Sequence, residues 1–266
     1  MPARLESMII SVASRKAVQH NGSHVQTLRR NLTVLTGSPA DDDLLRRAVA
    51  SYLRNFGEVL ALRQWSGDDI RSRVTTVNES VLRTAYAGTG AVVALPHSGN
   101  WDLAGAWACL TGMPVTTVAE QLADAEYADF VAFRERLGME VLSHRDPNAI
   151  SELVFAVRRR RLVCLLADRD LERTGVPVRW AGQQITMPAG PAMIARRSGA
   201  ALIPAVCQFT PSGLEIIFGD PIAPRPGRTG LTAMTQQVAD FFAVNLADQP
   251  EDWHMMQPFF ADPDVE

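Results

Sequence analysis

Cysteine is scarce in this chain. Cys109, Cys164 and Cys207 are its three thiols in 266 residues. An odd number so widely spaced builds neither a disulfide framework nor a zinc-binding spacing. Two of them sit within apolar runs and read as buried thiols, which fits a reducing, cytoplasmic setting. Charge of one sign is also lacking. The net charge is −3, so the basic field of a nucleic-acid binder is absent. No apolar run is long enough to span a membrane. The N-terminal patch from Met8 to Val12, with Arg4 before it, is short and lacks the apolar region and cleavage site of a signal peptide. It reads as a frayed end or as a patch lying on a membrane surface. There is no Gly-rich phosphate loop of Walker or Rossmann type, no G-x-S-x-G elbow and no H-E-x-x-H pair. Internal repeats and low-complexity linkers are missing too.

What is present is an ordinary globular composition. Hydrophobic residues make up 47% and charged residues 21%, which argues against general disorder. The length suits one large domain with a real core. In HVQTLRRNLTVLTG, Val25, Leu28, Leu32 and Leu35 share a helical face, and Gly37 stops the helix. A longer amphipathic helix follows, with Ser38 and Pro39 suited to its start and three aspartates in its first turn. Residues up to about 65 therefore read as a helical layer. From about Glu79 to Phe260 the texture alternates helices with buried strands. The strands are GAVVALP, PVTTVAE, MEVLS, LVCLLAD, ALIPAVCQF and GLEIIFG, and the last helix runs from about Leu231 to Leu246. The expected architecture is a single α/β domain: a central, mostly parallel sheet flanked by helices, with the N-terminal helical layer against it.

Candidate chemistry collects where strands end. His97 follows the buried strand GAVVALP, and Asp102 falls in the first turn of the next helix. Ligands of open α/β sheets bind beyond the carboxyl ends of strands. A histidine in the loop and an aspartate pointing back from the helix start could meet. The carboxylate would then fix one tautomer and leave the other ring nitrogen as a base. The spacing alone is weak evidence, because five histidines and 29 acidic residues supply roughly half a chance match. The competing reading is a histidine that satisfies loop carbonyls. Asp168 ends the strand LVCLLAD, and Glu120 ends PVTTVAE. Parallel neighbours would bring all four residues to one sheet edge. Asp168 could instead cap a turn, and Glu120 could be a solvated loop residue. Ser98 beside His97 is badly placed to be its nucleophile, and no cysteine has an evident histidine partner. One histidine among scattered carboxylates is a thin metal-ligand set. The run Arg158 to Arg161 reads as a solvated helix end, with an anion-binding patch as the alternative. A histidine base without nucleophile or metal fits direct transfer of an activated acyl group to a hydroxyl.

The segments ALPHSGNWDLAG, TTVAEQL, FVAFRERLGMEVL, VCLLADRDLERTGV, MPAGPA and PEDWHMMQP resemble those of the actinobacterial phosphatidylinositol mannoside acyltransferases. These belong to the wider family of bacterial lysophospholipid and lipid A acyltransferases that carry an H-x4-D/E motif. The resemblance runs from about Leu28 to Phe260. It implies an α/β fold, peripheral association with the cytoplasmic face of the cell membrane, acyl-CoA as co-substrate rather than any bound cofactor or metal, and a glycolipid acceptor. It assigns His97 as base, Asp102 as its partner, Asp168 as the supporting carboxylate, and Glu120 and Arg134 to the substrate site. The family has glutamate where ADRD places Asp168, one methylene longer. This chain also reaches its RRNL segment after fewer residues than is usual in the family.

The expected reaction is therefore transfer of a long fatty acyl chain to a mannose hydroxyl through a ternary complex. Backbone amides of the 98–102 turn would hold the oxyanion. The alternatives are a lipid A precursor or lysophospholipid as acceptor, an acyl-CoA thioesterase, and a lipid-binding protein without activity.

Overall fold

The computed structural model of the protein describes residues 3–119, 124–171 and 173–260. Three helices open the chain: α1 (Ala3–His20), α2 (Ser23–Thr36) and α3 (Asp42–Leu62). The N-terminal patch is no frayed end, because Met8 to Val12 lie inside α1. α3 starts later than Ser38 and Pro39 suggest. Asp41 is its N-cap and accepts the Leu44 N–H at 2.8 Å, an arrangement that leaves Asp42 and Asp43 in the first turn against the helix dipole. α4 (Gly67–Arg73) is closed by a reciprocal capping box between Ser66 and Asp69.

The α/β portion runs β1 (Val74–Val77), α5 (Glu79–Ala87), β2 (Ala91–Leu95), α6 (Trp101–Leu110), β3 (Val115–Ala119), α7 (Asp124–Arg136), β4 (Glu140–Ser143), α8 (Ala149–Arg158) and β5 (Leu162–Leu166). It continues with β6 (Val176–Trp180), β7 (Gln183–Met187), α9 (Gly190–Ser198), β8 (Ala201–Phe209), β9 (Leu214–Phe218) and α10 (Gly227–Asp248). Seven strands form one sheet in the order β1-β9-β8-β2-β5-β3-β4. All neighbours are parallel except β8 and β9. β6 and β7 form a separate hairpin. The mostly parallel sheet agrees with the sequence reading. β1 and the hairpin are additions: each is short, and β6 carries alternate exposed residues, so neither shows as an apolar run.

β2 explains why the sheet must be covered on both faces. All five of its residues are buried. Val92 and Ala94 join the apolar cluster shared with α2, α8, α9 and α10, whereas Ala91, Val93 and Leu95 join the cluster shared with α5 and α6. Successive side chains point to opposite faces, so a continuous apolar run demands two layers.

The arginine run is exposed at Arg158, Arg159 and Arg160, as a solvated end would be, but three of its guanidinium groups are also engaged. Arg159 and Arg161 bind Glu140, Arg161 also donates to Val115 O, and Arg160 donates to the carbonyls of Tyr86, Ala87 and Gly88. These guanidinium groups tie the loop ahead of β5 to its neighbours.

Candidate active site

β2 and β5 are parallel neighbours, with Leu95 opposite Leu166. His97 and Asp168 each lie two residues past that pair, so the register alone delivers both to one point beyond the sheet edge. His97 Nδ1 is 2.6 Å from Asp168 Oδ1, and the His97 backbone N–H donates to Asp168 Oδ2 at 2.9 Å. A carboxylate accepts, so the imidazole hydrogen sits on Nδ1 and the neutral ring leaves Nε2 with a lone pair. Asp168 is fully buried, while the His97 side chain keeps 20% of its surface accessible.

A third donor comes from the C-terminus. Trp253 Nε1–H reaches Asp168 Oδ2 at 3.1 Å. Burial works to raise the Asp168 carboxyl, but the His97 ring, its ring and backbone N–H groups and the indole N–H outweigh it. The carboxyl is held below the ordinary carboxylate value and stays ionised. The same C-terminal segment is laced to the histidine loop. Gly99 N–H donates to Asp252 O at 3.0 Å, His254 N–H donates to His97 O at 2.8 Å, and Ser98 bridges to Trp253. Gly99 is required here: its φ is +55°, and a Cβ would lie 2.7 Å from Cys207 O.

Asp102 does not meet His97. Its Oδ1 accepts Arg134 Nε–H at 2.5 Å, with both side chains buried. The expectation that Asp102 partners the imidazole is therefore corrected. A residue in the second position of α6 points along that helix face, where α7 presents Arg134, and the adjacent strand supplies the imidazole's carboxylate instead. Arg134, expected in the substrate site, is the partner of Asp102. Glu120 lies outside the described residues.

Asp102 and Arg134 share a narrow cavity of about 60 Å³ with apolar walls. Leu95, Trp101, Gly105, Trp107, Met139 and Leu166 are among them. It runs into the layer between the sheet and α6. Trp101 also meets His97 edge-on, with ring centroids 5.5 Å apart, so one side chain links the imidazole to the apolar cavity.

Behind the histidine loop lies a polar cluster that spacing could not reveal. Ser51 Oγ–H donates to Asp252 Oδ1 at 2.5 Å and lies 3.0 Å from His254 Nε2. With the hydroxyl hydrogen given to Asp252, His254 must donate from Nε2. Burial pushes the Asp252 carboxyl up to about 6, against the hydrogen bonds from Ser51 and Phe209 N–H. Burial, with the His97 ring adding to it, drives His254 down to about 3. The partners come from α3 and the C-terminus, roughly two hundred residues apart in sequence. The segment PEDWHMMQP is the only sequence signal for them. Among the described residues no three His, Cys, Asp or Glu side chains are grouped to hold a metal.

Comparison with known proteins follows the same lines. The family model described as "Bacterial lipid A biosynthesis acyltransferase" matches residues 1–261. The chain belongs to this acyltransferase family. It is 40% identical to a phosphatidylinositol mannoside acyltransferase of Mycolicibacterium smegmatis, over 97% of this chain and 86% of that protein. It is 39% identical to the protein of that name from Mycobacterium tuberculosis, over 92% of this chain and 79% of the relative. These relatives match most of the length of the chain.

Two substitutions separate the carboxylates. Asp168→Asn keeps the shape but lets the side-chain amide donate to Nδ1, which reverses the tautomer. Acyl transfer should fall roughly 10³-fold with the unfolding midpoint shifted little. Asp102→Ala removes the carboxylate that faces buried Arg134 and should cost about 1–3 kcal/mol of stability, read from urea unfolding.

His254 makes a pH prediction. Its folded value lies below its unfolded value near 6.5, so the unfolded chain binds the extra proton between pH 6.5 and about 3. Asp252 acts oppositely between about 4 and 6, because its folded value is raised. The wild type should therefore lose stability relative to His254→Asn as pH falls through the histidine window, by up to about 1.4 kcal/mol per pH unit. Urea unfolding of both chains at pH 7, 5 and 4 reads the difference.

Proposed function

We propose that the chain transfers a long fatty acyl group from acyl-CoA to a mannose hydroxyl of a phosphatidylinositol mannoside, at the membrane surface. The names of the relatives support the acceptor class. The observation that carries the chemistry is the His97–Asp168 pair, joined through Trp101 to an apolar cavity.

The steps balance on this chain's own groups. His97 Nε2 takes the proton of the acceptor hydroxyl as its oxygen attacks the thioester carbonyl. Asp168, held ionised, stabilises the imidazolium that forms. The tetrahedral oxyanion collapses, the C–S bond breaks, and the imidazolium returns its proton to the CoA sulfur. No covalent acyl-enzyme is needed. The turn amides are less available for the oxyanion than the sequence suggests. Ser98 N–H is given to Pro96 O, Gly99 N–H to Asp252 O and Leu103 N–H to the Asn100 cap. What remains is the first turn of α6, where Trp101 and Asp102 N–H groups lack intrahelical partners. A helix N-terminus favours negative charge.

The cavity between the sheet and α6 is the place for the acyl chain, which requires it to widen from its present 60 Å³. Met139 is the adaptable wall. Peripheral membrane association is supported by α1. Leu5, Met8, Ile9 and Val12 are exposed at i, i+3, i+4 and i+7, one stripe of the helix, and exposed Arg15 and Lys16 follow. Phe56 and Leu60 of α3 are exposed as well, and α1 packs on α3. No helix among the described residues is long and apolar enough to cross a membrane.

The test is an assay of purified protein with palmitoyl-CoA and a mannosylated phosphatidylinositol, a lipid A precursor and a lysophospholipid in parallel. Product on the mannoside, lost by at least about 10²-fold in His97→Ala, is the expected result. Wild-type turnover in that variant would sink the base assignment. Free fatty acid without acceptor product would favour a thioesterase.

A second prediction concerns the cavity. A Cβ at Gly105 would lie 2.6 Å from Met139 Cε. Gly105→Leu should therefore fill the space Met139 must yield to a long chain. The ratio of kcat/KM for palmitoyl-CoA to that for octanoyl-CoA should fall by roughly tenfold or more, read with one acceptor.

A further inference from the structure

The segment after α10 supplies a donor to the site, yet it has little regular structure. A 3-10 turn spans Pro250–Asp252, and Trp253 follows it directly. Backbone outside helices and strands is held only by the bonds it makes elsewhere. Trp253 is fully buried. Its indole stacks on Trp180 with ring centroids 5.7 Å apart, and Phe259 meets it edge-on at 4.9 Å. Such apolar contact is non-directional and resists sliding only weakly. The indole N–H lies 3.1 Å from Asp168 Oδ2, toward the long end of the range for this bond. A slip of about half an ångström would lose it.

Two polar side chains of the helical layer oppose that slip. Asn31 belongs to the RRNL segment and lies on α2. Its Nδ2 donates to Met255 O and to Gln257 O, each at 2.8 Å. Ser51 of α3 reaches the residues on either side of Trp253. Its hydroxyl donates to Asp252 Oδ1 at 2.5 Å and lies 3.0 Å from His254 Nε2. The other Asp252 oxygen accepts Phe209 N–H at 2.5 Å, which ties the same residue to the end of β8. Trp253 is therefore gripped in front by Ser51, and behind by Ser51 and Asn31. Both helices pack on the 3-10 turn.

Packing alone does not call for either residue. Asn31 is 2% exposed on a face shared with Val25, Leu28, Leu32 and Leu35, and Ser51 is 8% exposed near Leu45, Ala48 and Val49 of its helix. An apolar side chain would be buried there at lower desolvation cost. What the polar groups add is direction, because buried hydrogen bonds select one arrangement of the segment where apolar contact accepts several. We propose that Asn31 and Ser51 are positioning residues of the acyl-transfer site, clamping the C-terminal segment so that the Trp253 indole N–H stays on Asp168. Their hydrogen bonds go to the segment and not to His97 or Asp168. They act through Trp253 on the carboxylate that orients the imidazole. This role rests on the reading that His97 and Asp168 carry the transfer.

Two measurements on the full chain test it. The first follows the Trp253 indole N–H in a 1H–15N spectrum, identified by assignment or by its loss in Trp253→Phe. In the wild type it should lie downfield of a free indole and exchange slowly with solvent. In Asn31→Leu and in Ser51→Ala it should move toward the free-indole position and exchange faster. Ile70→Ala removes buried apolar packing from α4, in the other core cluster, and should leave the resonance in place. The second is kcat per folded protein with palmitoyl-CoA and the mannoside. Asn31→Leu and Ser51→Ala should each lower kcat about tenfold while KM for either substrate stays within about twofold. In a Trp253→Phe background, which keeps a ring against Trp180 and Phe259, the same substitutions should cost about twofold or less, because the N–H they position is gone.

A resonance unmoved in either single variant would overturn that residue's role, and one unmoved in both would overturn the clamp. An equal shift in Ile70→Ala would reduce the effect to lost stability and overturn it too. So would losses of kcat as large in the Trp253→Phe background as in the wild type. Wild-type turnover in His97→Ala would sink the site reading itself, whereas a dead His97→Ala beside an unmoved indole resonance overturns the clamp alone.

Discussion

A carboxylate buried without solvent must be held by donors, and Asp168 is held by three. The ring and backbone N–H groups of His97 and the indole of Trp253 converge on its two oxygens. This constraint organises the rest. The imidazole can accept a proton only at Nε2, because Nδ1 is committed. The histidine loop cannot swing away without exposing Asp168 to an unpaired, buried state, which is far more costly than loss of an ordinary hydrogen bond. The C-terminal segment is drawn in as well, since Trp253 must sit under the sheet edge to supply its donor.

Asp102 and Arg134 solve a related problem at a neighbouring place. Each is charged and buried, and the pairing offsets the cost of burying both. Their pair fixes α7 against the start of α6 and closes one end of the apolar cavity. The His-x4-Asp spacing therefore joins a loop histidine and a first-turn aspartate that take different partners. The histidine takes its partner across the sheet, and the aspartate takes its partner across the helix layer. One carboxylate is aimed at the imidazole and the other at the wall of the apolar cavity.

The α/β alternation was legible because strands buried on both faces must be continuously apolar, as AVVAL and LVCLL are. The mostly parallel sheet follows from the helices between them. Short or alternating strands were not legible: Val74–Val77 and the hairpin of Val176–Trp180 and Gln183–Met187 bury too little to stand out. α1 was read as a patch because its apolar stripe faces outward, so its pattern lacks a core to explain it. At the site, His97 and Asp168 were legible as strand-end residues, and family resemblance gave them roles. Trp253, Ser51, Asp252 and His254 were not, because nothing local distinguishes a residue whose partner comes from the far end of the chain.

The sequence by itself determined the classes of element, the apolar runs that must be buried and the residue types gathered at the strand ends. These depend on local periodicity and composition, which neighbouring residues carry. Which carboxylate serves which cation was decided only by tertiary structure. Parallel pairing of β2 with β5 places Leu95 opposite Leu166, and that register puts Asp168 against His97. Asp102, five residues from the histidine in the chain, is turned to Arg134 by the helix it begins. Sequence distance measures neither of these, because hydrogen-bonded register and helix phase set where a side chain points.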